Sequence, residues 1–219
     1  MARRTKAEAM ETRERILDAA EHVFHREGVS SASLNDIAVE AGVTRGAIYW
    51  HFKNKLDVFV AMTERGRLPF DVLLARAQDP DAPDPLAALR EFMLFIPTQV
   101  ASEPQQRRLF EIFFLRCEYT AESLPLLNHR QDGFRRISEQ LADALRNIVR
   151  RGQLPDTLDI EKAVAQCHAQ LTGLTFTWLL HPDSFCLQED GEDLVDAFLH
   201  GLAHNPWLQH RAPAAAVDG

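Results

Sequence analysis

Leu34-Asn35-Asp36-Ile37-Ala38-Val39-Glu40-Ala41-Gly42-Val43-Thr44-Arg45-Gly46-Ala47-Ile48-Tyr49-Trp50-His51-Phe52 reads as helix, glycine turn, helix. Leu34, Ile37, Ala38 and Ala41 recur at helical spacing. Ser33, followed three residues on by Asp36, has the spacing of a capping box. Gly42 permits a sharp turn, and Thr44 is placed to cap the second helix. Two short helices crossing this closely need a small residue at their contact, here Ala38, and leave the second helix free to enter a DNA major groove. With Ala47, Ile48 and Phe52 turned inward, Arg45 and Tyr49 lie one turn apart and face outward together with Thr44. Arg45 suits a guanine edge or a phosphate, Thr44 a phosphate or a thymine methyl, and Tyr49 and His51 the backbone. Ser33, Trp50 and Lys55 complete the candidate DNA contacts, with Lys55 expected on a phosphate.

On the N-terminal side, Ile16, Leu17, Ala20, Val23 and Phe24 mark a first helix over residues 7–27, stopped by Gly28. On the C-terminal side, Asn54 is placed to cap a long fourth helix running towards Ala77. Three prolines in Asp79-Pro80-Asp81-Ala82-Pro83-Asp84-Pro85 force a loop. Helical patterns then cover residues 86–101, 104–118, 122–151, 160–180 and 189–204, and no strand pattern competes. The expected fold class is all-α: a three-helix helix-turn-helix domain over residues 1–53 and a helical bundle over 54–210, about nine helices. The tail, residues 211–219, is short and biased in composition and is expected to be disordered.

The 219 residues carry a formal net charge of −8, which argues against nucleic acid only until it is divided along the chain. Residues 1–60 hold nine Lys and Arg against nine Asp and Glu, and the other 159 hold fifteen against twenty-three. Only the first segment is balanced enough to meet phosphate, and its basic residues cluster at Arg3, Arg4 and Lys6 and at Arg45, Lys53 and Lys55. No stretch approaches the roughly 18–20 apolar residues of a membrane span, and no signal-peptide core follows the first charges, so a cytoplasmic location is expected. Cys117, Cys167 and Cys186 are odd in number and far apart, which excludes a disulfide framework or a metal knuckle. There is no glycine-rich phosphate loop, no GxSxG and no HExxH, so no catalytic residue, cofactor or metal is expected. The pairs His22 with His25 and His200 with His204 have ligand spacing but lack a third ligand.

Residues 1 to about 60 closely resemble the DNA-binding domain of TetR-family repressors. The resemblance is carried by Thr12-Arg13, Ile16-Leu17-Asp18-Ala19-Ala20, Phe24, Gly28, Ile37-Ala38, Ala41-Gly42-Val43, Gly46, Tyr49, His51-Phe52 and Lys55. Residues 1–6 with 44–52, and Arg150-Arg-Gly-Gln-Leu-Pro with Trp178-Leu-Leu-His-Pro-Asp-Ser, resemble the branch that controls multidrug efflux pump operons. The resemblance implies an Ω-shaped homodimer on double-stranded operator DNA, with half-sites about 34–36 Å apart or a multiple. It also implies release when a small lipophilic or aromatic inducer binds the C-terminal domain.

By the same resemblance the helices after the linker surround a ligand pocket. Candidate lining residues before the long central helix are Arg67, Met93, Ile96, Val100, Phe110, Phe113, Phe114 and Cys117. Those on and beyond it are Phe134, Ile137, Leu141, His168, Leu171 and Phe176. The excess of Phe suits flat apolar ligands. Leu174, Trp178, Val195, Phe198, Leu199 and Leu202 lie on the last two long helices, which in this family form a four-helix dimer interface. The alternative is a redox-sensing repressor of the same fold, with Arg116 beside Cys117 as its one suggestive feature.

Overall fold

In the computed structural model, residues 6–65, 68–118 and 124–210 are described, and they form ten α-helices in chain order. These are α1 Lys6–Glu27, α2 Leu34–Glu40, α3 Arg45–His51, α4 Lys55–Arg65, α5 Leu68–Gln78, α6 Pro85–Ser102, α7 Pro104–Leu115, α8 Leu124–Arg150, α9 Ile160–Leu180 and α10 Asp190–His204. A 3₁₀ turn, Pro206–Leu208, follows. Among the described residues the one strand-like feature is an isolated antiparallel bridge between Leu158 and Gln209. No helix among them is long and apolar enough to cross a membrane. The tail 211–219 and Arg67 lie outside the described residues.

The helix expected from Asn54 to Ala77 is described as α4 and α5, and residues 66–67 between them lie outside the described residues. Asn54 does cap α4: its Oδ1 accepts from Asp57 N at 2.9 Å, and Asp57 Oδ2 accepts from Lys53 N at 2.9 Å.

Two compact units make up the chain. The first combines residues 1–69 with 102–133, so α7 and the first ten residues of α8 join α1–α4. This division differs from a cut at 53/54 because α1 packs against α2, α4 and α7 alike. Its core is continuous: Ile16, Leu17, Val23, Phe24, Ile37, Ile48, Phe52, Phe59, Met62, Ile112 and Leu126 are buried in one cluster. Gly28, at φ 84°, ends α1, and the next amide, Val29 N, donates to Arg116 O at 2.9 Å, tying the chain after α7 to the end of α1.

The second unit comprises residues 70–101 and 134–219. Leu74, Leu89, Phe92, Met93, Leu141, Leu145, Ile148, Cys167, Val195 and Leu202 are buried in it. Buried Asn147 donates to Ala77 O at 3.0 Å and Asp79 O at 2.8 Å, fixing α8 to the end of α5 where the proline loop begins. Arg90 of α6 forks onto Asp196 of α10, with 2.5 and 2.8 Å contacts, and reaches Glu192 at 3.2 Å.

Candidate functional site

The helix-turn-helix is assembled from local caps. Ser33 Oγ accepts from Asp36 N at 3.2 Å while Asp36 Oδ2 accepts from Ser33 N at 2.9 Å, the reciprocal box its spacing predicts. Hydrogen bonds from the Ser33 side chain and backbone hold the Asp36 carboxyl below its usual range. Gly42, at φ 63°, makes the turn. Thr44 Oγ1 caps α3 by accepting from Ala47 N at 3.2 Å.

Ile48 and Phe52 are buried and turn the other face of α3 outward. Thr44, Arg45, Tyr49 and Trp50 are all exposed, Trp50 at 71%. Arg45 donates to the Tyr49 hydroxyl at 3.1 Å and lies 5.5 Å from its ring centre, so guanidinium and phenol form one outward group. His51 is half-buried, edge-on to Trp50 at 4.6 Å. Ser33 is exposed at the start of α2.

Lys55, the expected phosphate contact, also bonds backbone oxygen within its own unit. Its ammonium donates to Ser30 O at 2.8 Å and Ala32 O at 2.7 Å. Arg15 of α1, absent from the sequence-based candidates, donates to Ala41 O at 2.7 Å. Neither partner choice is visible in sequence, because the pairs are 23 to 26 residues apart.

A buried carboxylate joins three helices of the first unit. Glu21 on α1 is 1% exposed. It accepts from Arg108 Nε at 2.8 Å and Gln105 Nε2 at 3.0 Å on α7, and from Arg65 Nη2 on α4 at 3.4 Å. His25 Nε2 pairs with Glu111 Oε2 one turn further along α7. The charges of Glu21 and its arginines are desolvated together, which is tolerable only because each is paired.

The candidate ligand residues fall into both units. In the first, Phe110, Phe113 and Phe114 form an aromatic row on α7, with centroids 6.1 Å apart for Phe110 and Phe114 and 5.4 Å for Phe113 and Phe114. Arg130 lies 3.9 Å over the Phe113 ring, and burial lowers its pKa. Cys117 is half-buried, and burial pushes its thiol pKa up against the opposing pull of Arg130. Burial pushes the Cys167 thiol in the second unit up to about 12. Both shifts disfavour the thiolate that a redox switch at these positions requires.

In the second unit Met93, Val100, Leu141 and Leu171 are buried, and Ile96, Ile137 and His168 are half-buried. Phe134 and Phe176 are exposed in the chain. His168 stacks on Phe134 at 4.0 Å, its pKa lowered by burial. Ser138 Oγ donates to Phe134 O at 2.8 Å and sits 2.9 Å from His168 Nε2, so it accepts from an Nε2–H and leaves Nδ1 as an acceptor. A separate open groove of about 670 Å³ is lined by Gln78, Arg146, Arg150, Leu158 and Ile160, and none of the expected ligand residues lines it.

The expected dimer residues are mostly interior. Val195 and Leu202 have no accessible surface, and Trp178 and Leu199 are buried too. A side chain fully enclosed in its own unit has no surface to give a partner. Leu174 and Phe198 are half-buried, while Phe176, Leu180 and Leu194 on the same two helices are exposed. Alternating faces of a helix explain the shift: the apolar periodicity marks the buried stripe.

Residues 16–62 match the model for bacterial regulatory proteins of the tetR family. Residues 84–204 match that for the C-terminal region of MAATS-type transcriptional repressors. The chain is 41% identical to the HTH-type transcriptional regulator TtgR of Pseudomonas putida, over 95% of this chain and all of that protein. Its structure is similar to NalD, the secondary repressor of the MexAB-OprM multidrug efflux pump in Pseudomonas aeruginosa, with TM-score 0.81 and 33% identity over 91% of this chain and 100% of that one. It is also similar to the SmeT–triclosan complex, with TM-score 0.82 and 34% identity over 93% and 99% of the two chains.

Proposed function

The chain belongs to the tetR family of DNA-binding transcriptional regulators, and from that premise we propose that it represses a multidrug efflux operon and leaves its operator when a small lipophilic or aromatic compound binds. The observation that carries the reading is the outward face of α3. A capped helix that exposes Thr44, Arg45, Tyr49 and Trp50 while burying Ile48 has the polarity of a helix inserted in a major groove. Arg45 and Tyr49 read or grip DNA there, with Thr44, Trp50 and His51 beside them.

The efflux assignment is supported by the similarity to NalD, a repressor of an efflux pump, and the inducer class by the triclosan bound to SmeT. The aromatic row on α7 and the Phe134–His168 stack offer flat apolar surface with sparse polar groups, which suits such compounds. A second copy of the chain docks on the exposed apolar face of α9 and α10, where Phe176, Leu180 and Leu194 lie. Dimerisation sets two α3 helices about 34–36 Å apart, or a multiple, and an inducer that favours another spacing costs DNA affinity. A protein acting on operator DNA works in the cytoplasm.

The test is binding to the intergenic DNA upstream of the chain's own gene at fixed salt, with and without a panel of lipophilic drugs and plant phenolics. Tight specific binding, abolished on adding a compound, is the expected result. Specific binding that no compound relieves refutes the efflux-sensor reading and leaves the DNA reading intact. Release by peroxide rather than by a lipophile, abolished in Cys117→Ser, selects the redox alternative.

A further inference from the structure

We infer that Lys55 and Arg15 serve operator binding as positioning residues, fastening the two ends of α2 through backbone carbonyls and so setting the angle at which α3 meets DNA. The inference rests on the reading of α3 as the DNA-facing helix. Helix α2 has seven residues, too few to hold its own direction by internal hydrogen bonds. Its buried anchors are Ile37 and Ala38, with Ala32 just before it and the C-cap Ala41 also buried, and polar ties are added at the same two ends.

Each end is met by a cation from a different helix. Lys55, the first residue of α4, donates to the carbonyls of Ser30 and Ala32, immediately before the N-cap Ser33. Arg15, in the middle of α1, donates to the carbonyl of the C-cap Ala41, immediately before the left-handed Gly42. Charge-assisted bonds of this kind are short and stronger than neutral ones. Two residues after Gly42, Thr44 starts α3, so the direction of α3 is inherited from the fastened end of α2. Both cations face protein oxygen. Two of the three ammonium donors of Lys55 are taken by these carbonyls at 2.7–2.8 Å.

Salt dependence separates positioning from phosphate neutralisation. Each neutralised phosphate adds about 0.9 to the slope of log K against log salt, so removing one phosphate-bound cation from each protomer flattens the slope by about 1.8. On a duplex carrying the upstream intergenic DNA, Lys55→Met and Arg15→Met are expected to bind about tenfold more weakly with the slope unchanged. Lys55→Arg, which retains several donors, stays close to the parent. In the free protein, amide exchange speeds up at Asp36 and Ile37 in Lys55→Met and at Val43 in Arg15→Met. A slope flattened by about 1.8, or undiminished affinity, overturns the inference. Unchanged exchange at the ends of α2 overturns it without DNA. Failure of the parent protein to bind any duplex specifically counts instead against the DNA reading of α3.

Discussion

Helices α3 and α7 each carry an arginine–aromatic partnership, and the two differ in how much water surrounds it. Arg45 reaches the Tyr49 ring and hydroxyl on an exposed surface. Arg130 lies closer to the Phe113 ring, 3.9 Å against 5.5 Å, and burial lowers its pKa. The exposed guanidinium keeps its charge available to a polyanion, while the half-buried one keeps an aromatic row in place. Attachment to α1 differs in the same sense. The neighbourhood of α3 is held by apolar packing of Ile48 and Phe52 and by bonds to backbone carbonyls, whereas α7, packed through Ile112 and tied at Arg116 O, is held in addition through the buried Glu21. The same residue types thus make a recognition surface in one place and a structural joint in the other, with desolvation deciding which.

The largest effect is expected at that joint. Glu21→Ala leaves the half-buried Arg108 without that carboxylate and Arg65 with Asp18 at 2.7 Å and Glu14 at 3.3 Å, and costs about 3 kcal/mol of unfolding free energy in chemical denaturation. Partial exposure of the two arginines, 24% and 32%, places the cost at the low end for a broken buried pair. A loss below about 0.5 kcal/mol, the size of a surface pair, would erase the contrast with α3.

Arg45→Ala is expected to do the reverse. Operator affinity falls by roughly 1–3 kcal/mol, and preference at one base pair relaxes if the guanidinium reads guanine. Thermal stability changes little, since the Tyr49 side chain that Arg45 touches is itself exposed. Competition binding against single-base operator variants, with a melting curve, checks both halves. Arg130→Met sharpens the pairing further: loss of a partly desolvated cation–π interaction lowers stability by about 1 kcal/mol and leaves the salt slope of DNA binding unaltered.

Legibility follows sequence distance. The Ser33–Asp36 box, the Thr44 and Asn54 caps and the left-handed Gly42 each involve residues within four of one another, and pattern alone locates all of them. The outward pair Arg45 and Tyr49 is legible for the same reason. Every bond whose partner lies far along the chain escapes: Lys55 to Ser30, Arg15 to Ala41, and Glu21 to Arg108, 87 positions away. Helical periodicity also marks an apolar stripe without saying what covers it. Val195 and Leu202 therefore read as a dimer surface in the sequence, although the fold of their own unit encloses them.

The smallest expected effect extends the exposed-versus-buried contrast to a group that titrates. His168 is half-buried against Phe134, and desolvation lowers its pKa below the ordinary imidazole value near 6.5. Above that value the ring is neutral in both folded and unfolded chains, and the second unit has its full stability. As pH falls below it the unfolded chain takes up the proton first, because protonating the folded ring charges a desolvated site. Stability therefore declines with acid until the folded ring also titrates, and then levels off. Protonation also supplies an Nδ1–H where the Ser138 geometry leaves an acceptor, so a ligand hydroxyl donating to Nδ1 binds less well in acid. Denaturant midpoints between pH 7.5 and 5, together with the imidazole proton shifts of His168, measure this directly. In His168→Phe the corresponding part of the acid slope disappears; if the slope survives intact, burial of this ring is not the source of the acid sensitivity.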